Sequence, residues 1–345
     1  MSLKKRDHFN KATGRFQNCY SHDEGKRTQK NTNPNWKNIL SAMFQSVMGV
    51  KDRVPTKPLP YRNLKGFKES FRQKDQFIWL GHSSVTLSLE GKVIYIDPVF
   101  LSTASPFSAF CRRFSAFPYQ LDDLPRADYI LLSHNHHDHY DEKVLSFYAK
   151  DPEIKFIVPD QLGNYLEKQG VKRDQILELD WWESFKDSGI TFYSTPALHS
   201  SGRWLNDQNK SLWGSWVIET SENRIFFSGD SGYASHFKEI GDSFGSFDYV
   251  FLENGQYDKR WPLAHMFPEQ SLKAFEDLKG KFYIPIHWGV FALAYHAWYE
   301  PVERTYRLFD LKGWKDRFYL CPELGQVVAM DKKNQEIRPW WISAE

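Results

Sequence analysis

From residue 76 onward, apolar residues fall into short runs, the first three of them separated by Gly-containing turns. Phe77–Leu80, Val85–Leu89 and Val93–Ile96 read as three closely spaced β-strands. Further runs of the same type stand at Tyr129–Leu132, Ile154–Val158, Ile190–Tyr193, Trp213–Ile218, Ile225–Phe227, Tyr249–Leu252 and Phe282–Ile286. Helical patterns lie between several of them, at Lys143–Ala149, Gln161–Gln169 and Pro268–Leu278. Strands and helices thus interleave, with hairpins early in each half. The pattern predicts an α/β sandwich of two sheets with helices outside.

The first quarter of the chain reads differently. Residues 1–35 are polar and basic and look like an extended arm without a core of its own. Trp36, Ile39, Leu40, Met43, Val47 and Met48 then recur at helical spacing, and Gly49 and Pro55 end that stripe. Residues 51–74 read as a basic, Pro-containing linker. The expected organisation is a basic N-terminal extension over 1–74 that wraps the core, followed by a catalytic domain over 75–345.

Charge sharpens this division. Residues 1–74 hold 17 Lys and Arg against 5 Asp and Glu, whereas the remainder holds 28 against 38. An acidic body argues against a nucleic-acid binder, whose footprint should be basic. The basic arm suits either its own acidic body or an anionic membrane surface. Three scattered cysteines among 345 residues suggest neither a disulfide framework nor a Cys-rich zinc module. With no apolar core after the charged start and no run near ~20 apolar residues, the expected location is the cytoplasm. Peripheral contact with the inner membrane face stays open, as does a homodimer.

The chemistry concentrates in Ser133-His134-Asn135-His136-His137-Asp138-His139, which directly follows a strand run. The chain has 12 histidines in all, so four within six positions is a cluster that composition does not explain. His134 and His136, two apart on extended backbone, can face the same way. Asp138 and His139 follow on the turn, where they can face a second ion. Imidazole with carboxylate suits zinc, and iron or manganese as well. His137 occupies a spacer position and reads as a surface or supporting residue. His199, Asp230 and His287 each stand just beyond a strand run, and Gly229 would let the backbone turn towards an ion.

These residues resemble the metallo-β-lactamase superfamily, whose His-x-His-x-Asp-His signature stands here as His134, His136, Asp138 and His139. The resemblance implies an αββα sandwich of two mixed β-sheets flanked by helices, with a dinuclear site between the sheets. It further implies one zinc ion held by His134, His136 and His199 and another by Asp138, His139 and His287, with Asp230 bridging. More specific strings resemble the N-acyl-phosphatidylethanolamine-hydrolysing phospholipase D family. They are Gly-Arg-Phe-Gln-Asn (14–18), Trp-Leu-Gly-His (79–82), Glu-Leu-Asp-Trp-Trp-Glu (178–183), Leu-Trp-Gly-Ser-Trp (212–216), Gly-Asp-Ser-Gly-Tyr (229–233) and Ile-His-Trp-Gly-Val-Phe-Ala-Leu (286–293). That likeness spans roughly residues 14–330. It departs at His137, where a Tyr is common, and over Glu253–Tyr257, Arg260-Trp261 and His265, which only partly follow the family.

The resemblance implies a phosphodiesterase of phospholipase D type acting on an N-acyl phospholipid or another small phosphodiester. Asp138, Asp230 and His265 would be catalytic, His265 approaching the scissile phosphate or its leaving group. His82, Gln256 and Tyr257 would contact substrate or support ligands. A lactonase of the same superfamily is the alternative, since two ions also serve attack on a carbonyl. A diiron redox protein fits less well, because position 136 is His rather than Glu. A non-enzymatic membrane-binding module that keeps its metal for stability is the remaining reading.

Overall fold

The computed structural model describes residues 8–20, 49–64, 67–68, 70–100, 102–105, 111–315, 319–331 and 339–344. The stripe expected as a helix over Trp36–Met48 lies outside them. A small antiparallel hairpin, β1 (Phe9–Asn10) and β2 (Arg15–Phe16), comes first. Strands β3 (Gln76–Gly81), β4 (Ser84–Leu89) and β5 (Lys92–Ile96) then form an antiparallel meander. Onto β5 are added, all parallel, β6 (Tyr129–Leu131), β7 (Lys155–Pro159) and β8 (Ile176–Leu179).

The second sheet begins with β9 (Ser184–Asp187), β10 (Ile190–Thr195), β11 (Ser215–Glu219) and β12 (Arg224–Phe227), which are antiparallel. It continues with β13 (Phe247–Glu253) and β14 (Gly280–Ile286), which are parallel. A late strand, β15 (Val327–Ala329), returns to the edge of β3 and, among the described residues, completes seven strands in the first sheet against six in the second. Among the described residues the α-helices are α1 (Glu142–Tyr148), α2 (Gly163–Glu167), α3 (His236–Phe244), α4 (Pro268–Asp277) and α5 (Glu300–Leu311). Two mixed sheets flanked by helices match the architecture expected from the sequence.

Alternation along the strands explains the layering. Phe77 and Trp79 on β3 face the other sheet, whereas Ile78 and Leu80 face a second core with Val144 and Leu145 of α1 and Leu166 of α2. Across the interface Phe77 meets Phe251 at 5.0 Å between ring centroids, and Tyr129 meets Phe192 at 5.1 Å. Each such fully buried side chain contributes about 1.5–3 kcal/mol relative to exposure. The Trp216 indole N–H on β11 donates to the Leu132 carbonyl at 3.1 Å, tying the second sheet to the segment that leaves β6.

Two of the expected elements are shorter than the sequence pattern suggests, and β8, β9, β15, α3 and α5 have no counterpart among the expected runs. The strand expected from Trp213 starts at Ser215, because the Trp213 indole donates to the Ala197 carbonyl and Gly214 lies against backbone. A Cβ at Gly214 would come within 2.9 Å of the Thr195 carbonyl oxygen. The helix expected over Gln161–Gln169 contracts to Gly163–Glu167, and Gly170 follows at φ +89°. Helix α1 starts where Asp141 caps it, accepting from the Lys143 and Val144 N–H groups.

Residues 8–20 are packed on the body. Phe16 and Tyr20 share a buried cluster with Trp181, Leu198, Leu212 and Trp213. His8 stacks on Trp181 at 4.4 Å and lies 2.7 Å from an Asp180 carboxylate oxygen. Among the described residues, no helix is long and apolar enough to cross a membrane.

Candidate metal centre

Four strand ends deliver the donors. His134, His136, Asp138 and His139 follow β6, His199 follows β10, Asp230 follows β12 and His287 follows β14. Two of these junctions turn through left-handed backbone, Gly229 at φ +56° and His287 at φ +65°. His287 is not a glycine, and such a conformation persists only where surrounding contacts fix it. Its N–H donates to the His82 carbonyl at 2.9 Å, and the His82 N–H donates to the Trp288 carbonyl.

The seven side chains form two adjoining sets. In the first, His134 Nε2 lies 2.9 Å and His199 Nε2 3.2 Å from His136 Nδ1. The same two Nε2 atoms lie 3.7 and 3.6 Å from Asp230 Oδ2. In the second set His139 Nε2 and His287 Nε2 lie 3.5 and 3.3 Å from Asp138 Oδ2, and 3.1 and 3.2 Å from Asp230 Oδ1. One carboxylate therefore faces both sets, one oxygen to each. Ligands around a tetrahedral zinc at about 2.0–2.1 Å stand roughly 3.3–3.4 Å apart, a spacing that the 2.9–3.7 Å separations of the two sets bracket.

The surroundings fix which ring nitrogens face inward. Asp97, fully buried, accepts from the Ser133 N–H at 2.7 Å, the Ser133 hydroxyl at 2.6 Å and His139 Nδ1–H at 2.7 Å. The Ser133 oxygen in turn accepts from His134 Nδ1–H at 2.9 Å. His199 Nδ1–H donates to the Ala264 carbonyl at 3.1 Å. All three rings thus turn their Nε2 lone pairs to the centre, as metal ligation requires. The residues fit a pair of cations on a further count: His139 Nε2 and Asp230 Oδ1 are buried and close, yet neither makes a hydrogen bond.

Electrostatics agree. Burial holds the His134 and His199 imidazoles well below their ordinary pKa and brings His136 down to about 4, so these rings are neutral. Burial opposes charge on Asp138 and Asp230, but the facing imidazoles outweigh it and hold both carboxyls well below the usual range. Burial also opposes a charge on His139, but the Asp230 and Asp138 carboxylates beside it win and raise its pKa well above normal. A proton there meets the positive charge the carboxylates demand, and a divalent cation would take its place.

The remaining sequence candidates divide. His82 is fully buried with Nε2 at 2.9 Å from Asp138 Oδ2, where it orients that carboxylate. Burial, then the neighbouring His287, bring its pKa down to about 3. His265 stacks at 4.9 Å on His287 and gives its Nδ1–H to Glu253 at 2.9 Å, which leaves Nε2 for a reacting group. Gln256 and Tyr257, expected at the substrate mouth, spend their polar groups within the fold. The Gln256 amide donates to the Phe291 carbonyl and accepts from the Leu293 and Ala294 N–H groups, while the Tyr257 hydroxyl donates to Glu300. The spacer His137 bonds through Nε2 to the Arg203 carbonyl at 3.0 Å.

Three supporting residues escape a reading for ligands alone: Asp97, Glu253 and Asn18. The first two are carboxylates at the ends of β5 and β13, the same strand-then-donor placement as the ligands. Glu253 also accepts from the Met266 N–H at 2.5 Å. Asn18 is bonded to the backbone of His199.

Comparison with known proteins places this geometry in context. A beta-lactamase superfamily domain matches residues 92–288. An uncharacterized protein of Mycobacterium tuberculosis is 38% identical over 267 residues, which is 76% of this chain and 70% of the relative. N-acyl-phosphatidylethanolamine-hydrolyzing phospholipase D 1 of Caenorhabditis elegans is 34% identical over 264 residues, 72% of this chain and 74% of the relative. Among solved structures, a possible metal-dependent hydrolase from Veillonella parvula superposes with a TM-score of 0.60 at 15% identity, covering 74% of this chain and 99% of that one. The last likeness is one of fold.

Proposed function

Because the chain belongs to the metallo-β-lactamase superfamily and is a metal-dependent hydrolase, we propose that it cleaves the phosphodiester bond of an N-acyl phospholipid or a similar lipid, using two zinc ions. The observation that carries this reading is Asp230, whose two oxygens each face a separate set of imidazole and carboxylate donors. Two cations held by those sets would supply Lewis acidity at a phosphoryl oxygen and a water acidic enough to react near neutral pH. The likeness to the nematode phospholipase supports a lipid phosphodiester as the substrate class.

The chain's own groups then have definite tasks. Asp138, oriented by His82, and Asp230 fix the inward geometry and keep the negative charge that retains the cations. His265, partly exposed and held by Glu253 through Nδ1, presents Nε2 towards the phosphate or its leaving oxygen. Water oxygen forms a new bond to phosphorus, the bond from phosphorus to the headgroup oxygen breaks, and that oxygen takes up a proton. The products are a phosphatidic-acid-type phosphomonoester and a free alcohol.

Elemental analysis of purified protein should give about two zinc ions per chain. In mixed micelles, N-acyl phosphatidylethanolamine should yield phosphatidate and an N-acyl ethanolamine. Turnover of lactones with no turnover of any phosphodiester would replace this reading with the lactonase one.

A further inference from the structure

The loop that carries His199 goes on to a solvent-facing apolar tip. Trp204 is 57% exposed and Leu205 99% exposed. A lone exposed leucine needs no explanation, but a Trp-Leu pair on a rigid loop beside a metal centre does. The base of the loop is pinned. The Gly202 N–H donates to the Asn135 side chain at 2.7 Å, and Arg203 donates to the Asn135 and Tyr140 carbonyls at 3.1 Å each. Asp207 accepts from the Arg203 and Trp204 N–H groups, and Gln208 donates to the Trp204 carbonyl. The tip is therefore held out on segment 135–140, which carries three of the seven candidate ligands, His136, Asp138 and His139.

Its position is what matters. The Trp204 ring centroid lies 6.4 Å from that of His137, the residue between His136 and Asp138. The hairpin of β1 and β2 joins the same surface: Arg15 donates to the Gln208 and Asn206 carbonyls, and the Phe16 N–H to the Asn209 carbonyl. The same hairpin carries Phe9, 36% exposed, and the exposed Lys11, and Lys210 ends the loop with another exposed cation against the single carboxylate of Asp207. Arg203 adds no net charge, since Glu142 pairs with it. An apolar tip with a cationic margin is complementary to acyl chains beneath phosphate headgroups.

We propose that Trp204 and Leu205, flanked by Lys11 and Lys210, form a docking surface for a phospholipid bilayer, seating the rim of the metal centre against the membrane. This rests on the lipid reading of the substrate, and it explains how a phosphodiester at a membrane surface reaches a centre recessed behind that rim.

The test uses the full chain and sedimentation with vesicles of phosphatidylcholine containing phosphatidylglycerol. Trp204→Ser combined with Leu205→Ser should weaken vesicle binding at least about tenfold, while metal content and melting temperature stay as in the parent. Lys11→Glu with Lys210→Glu should weaken binding to these vesicles and flatten its salt dependence. Should the serine variant fold poorly, Trp204→Phe keeps the bulk: brominated lipid should then quench less fluorescence in the variant than in the parent. Unchanged binding by the serine variant, or unchanged quenching in Trp204→Phe, would overturn the proposal. So would a dimer in solution that the serine variant dissociates, since the tip would then seat a second copy. Vesicle binding is read without turnover, so loss of the docking idea and loss of the phospholipase reading are separate results.

Discussion

The side chain of Asn18 grips the backbone of His199 on both sides, donating from Nδ2 to its carbonyl at 2.8 Å and accepting its N–H at Oδ1 at 3.2 Å. The two residues are 181 positions apart, and His199 is the only donor of the first metal set supplied by the loop after β10. The segment that follows the N-terminal hairpin thus supports a candidate ligand of the metal centre. Asn18→Ala should lower affinity for the first cation about 10–100-fold, the usual effect of losing a group that orients a ligand. Competition with a chelating dye would measure it, and Asn18→Asp should recover only the contact made through Oδ1.

Asp97 fills the corresponding place behind His139 and, through Ser133, behind His134. Asp97→Asn keeps the volume but removes the charge that favours imidazole as a strong donor. The expected result is a loss of metal affinity of about 10–100-fold in both sets, seen as two weakened steps in a zinc titration.

Gly229 is required for two reasons that act together. Its φ is +56°, and a Cβ there would lie 2.7 Å from the Ser133 Cβ and 2.9 Å from the Gly214 carbonyl oxygen. Neither neighbour is the end of a flexible chain. Gly229→Ala should cost roughly 2–4 kcal/mol, from backbone strain together with overpacking, and displace Asp230. Thermal unfolding and metal content should both fall.

His236, buried on α3 and outside both donor sets, offers a test of pH dependence. Burial alone brings its pKa from 6.5 down to about 3, and its ring bonds to the Ser231 hydroxyl. In the folded state it stays neutral while the unfolded chain takes up a proton, so stability is full above pH 6.5 and falls between pH 6.5 and 3. The contribution is about 1.4 kcal/mol per pH unit in that window. His236→Gln should reduce the slope of stability against pH by that amount, measured by urea unfolding at pH 7, 6 and 5.

Much of this was legible in the sequence because strand ends announce themselves. An apolar run followed within three residues by His or Asp marks the ligands after β6, β12 and β14, and period-two alternation assigns the two faces of β3. What stayed hidden depends on partners distant in the chain. β15 is three residues long and gains its identity only by pairing with β3, some 250 positions earlier. Helix α5 opens with Glu300-Pro301 and buries only Pro301, Val302, Thr305 and Phe309, a stripe too thin to stand out. Asn18 could not be read as support for His199, because a polar side chain in a basic arm says nothing about which backbone it meets. Gln256 and Tyr257 are themselves expected from the sequence to contact substrate or support ligands, but their polar groups are claimed by the 291–294 segment and by Glu300.

The phosphodiester reading, in which Asp230 would help hold two cations that activate water, puts the oxygen of water on phosphorus. The most direct measurement is hydrolysis of N-acyl phosphatidylethanolamine in water enriched in oxygen-18, with the products weighed by mass spectrometry and Asp230→Asn run in parallel. The account predicts one heavy oxygen in the phosphatidate, none in the released alcohol, and no product from Asp230→Asn. Heavy oxygen in the alcohol or in a released fatty acid, or full turnover by Asp230→Asn, would contradict it.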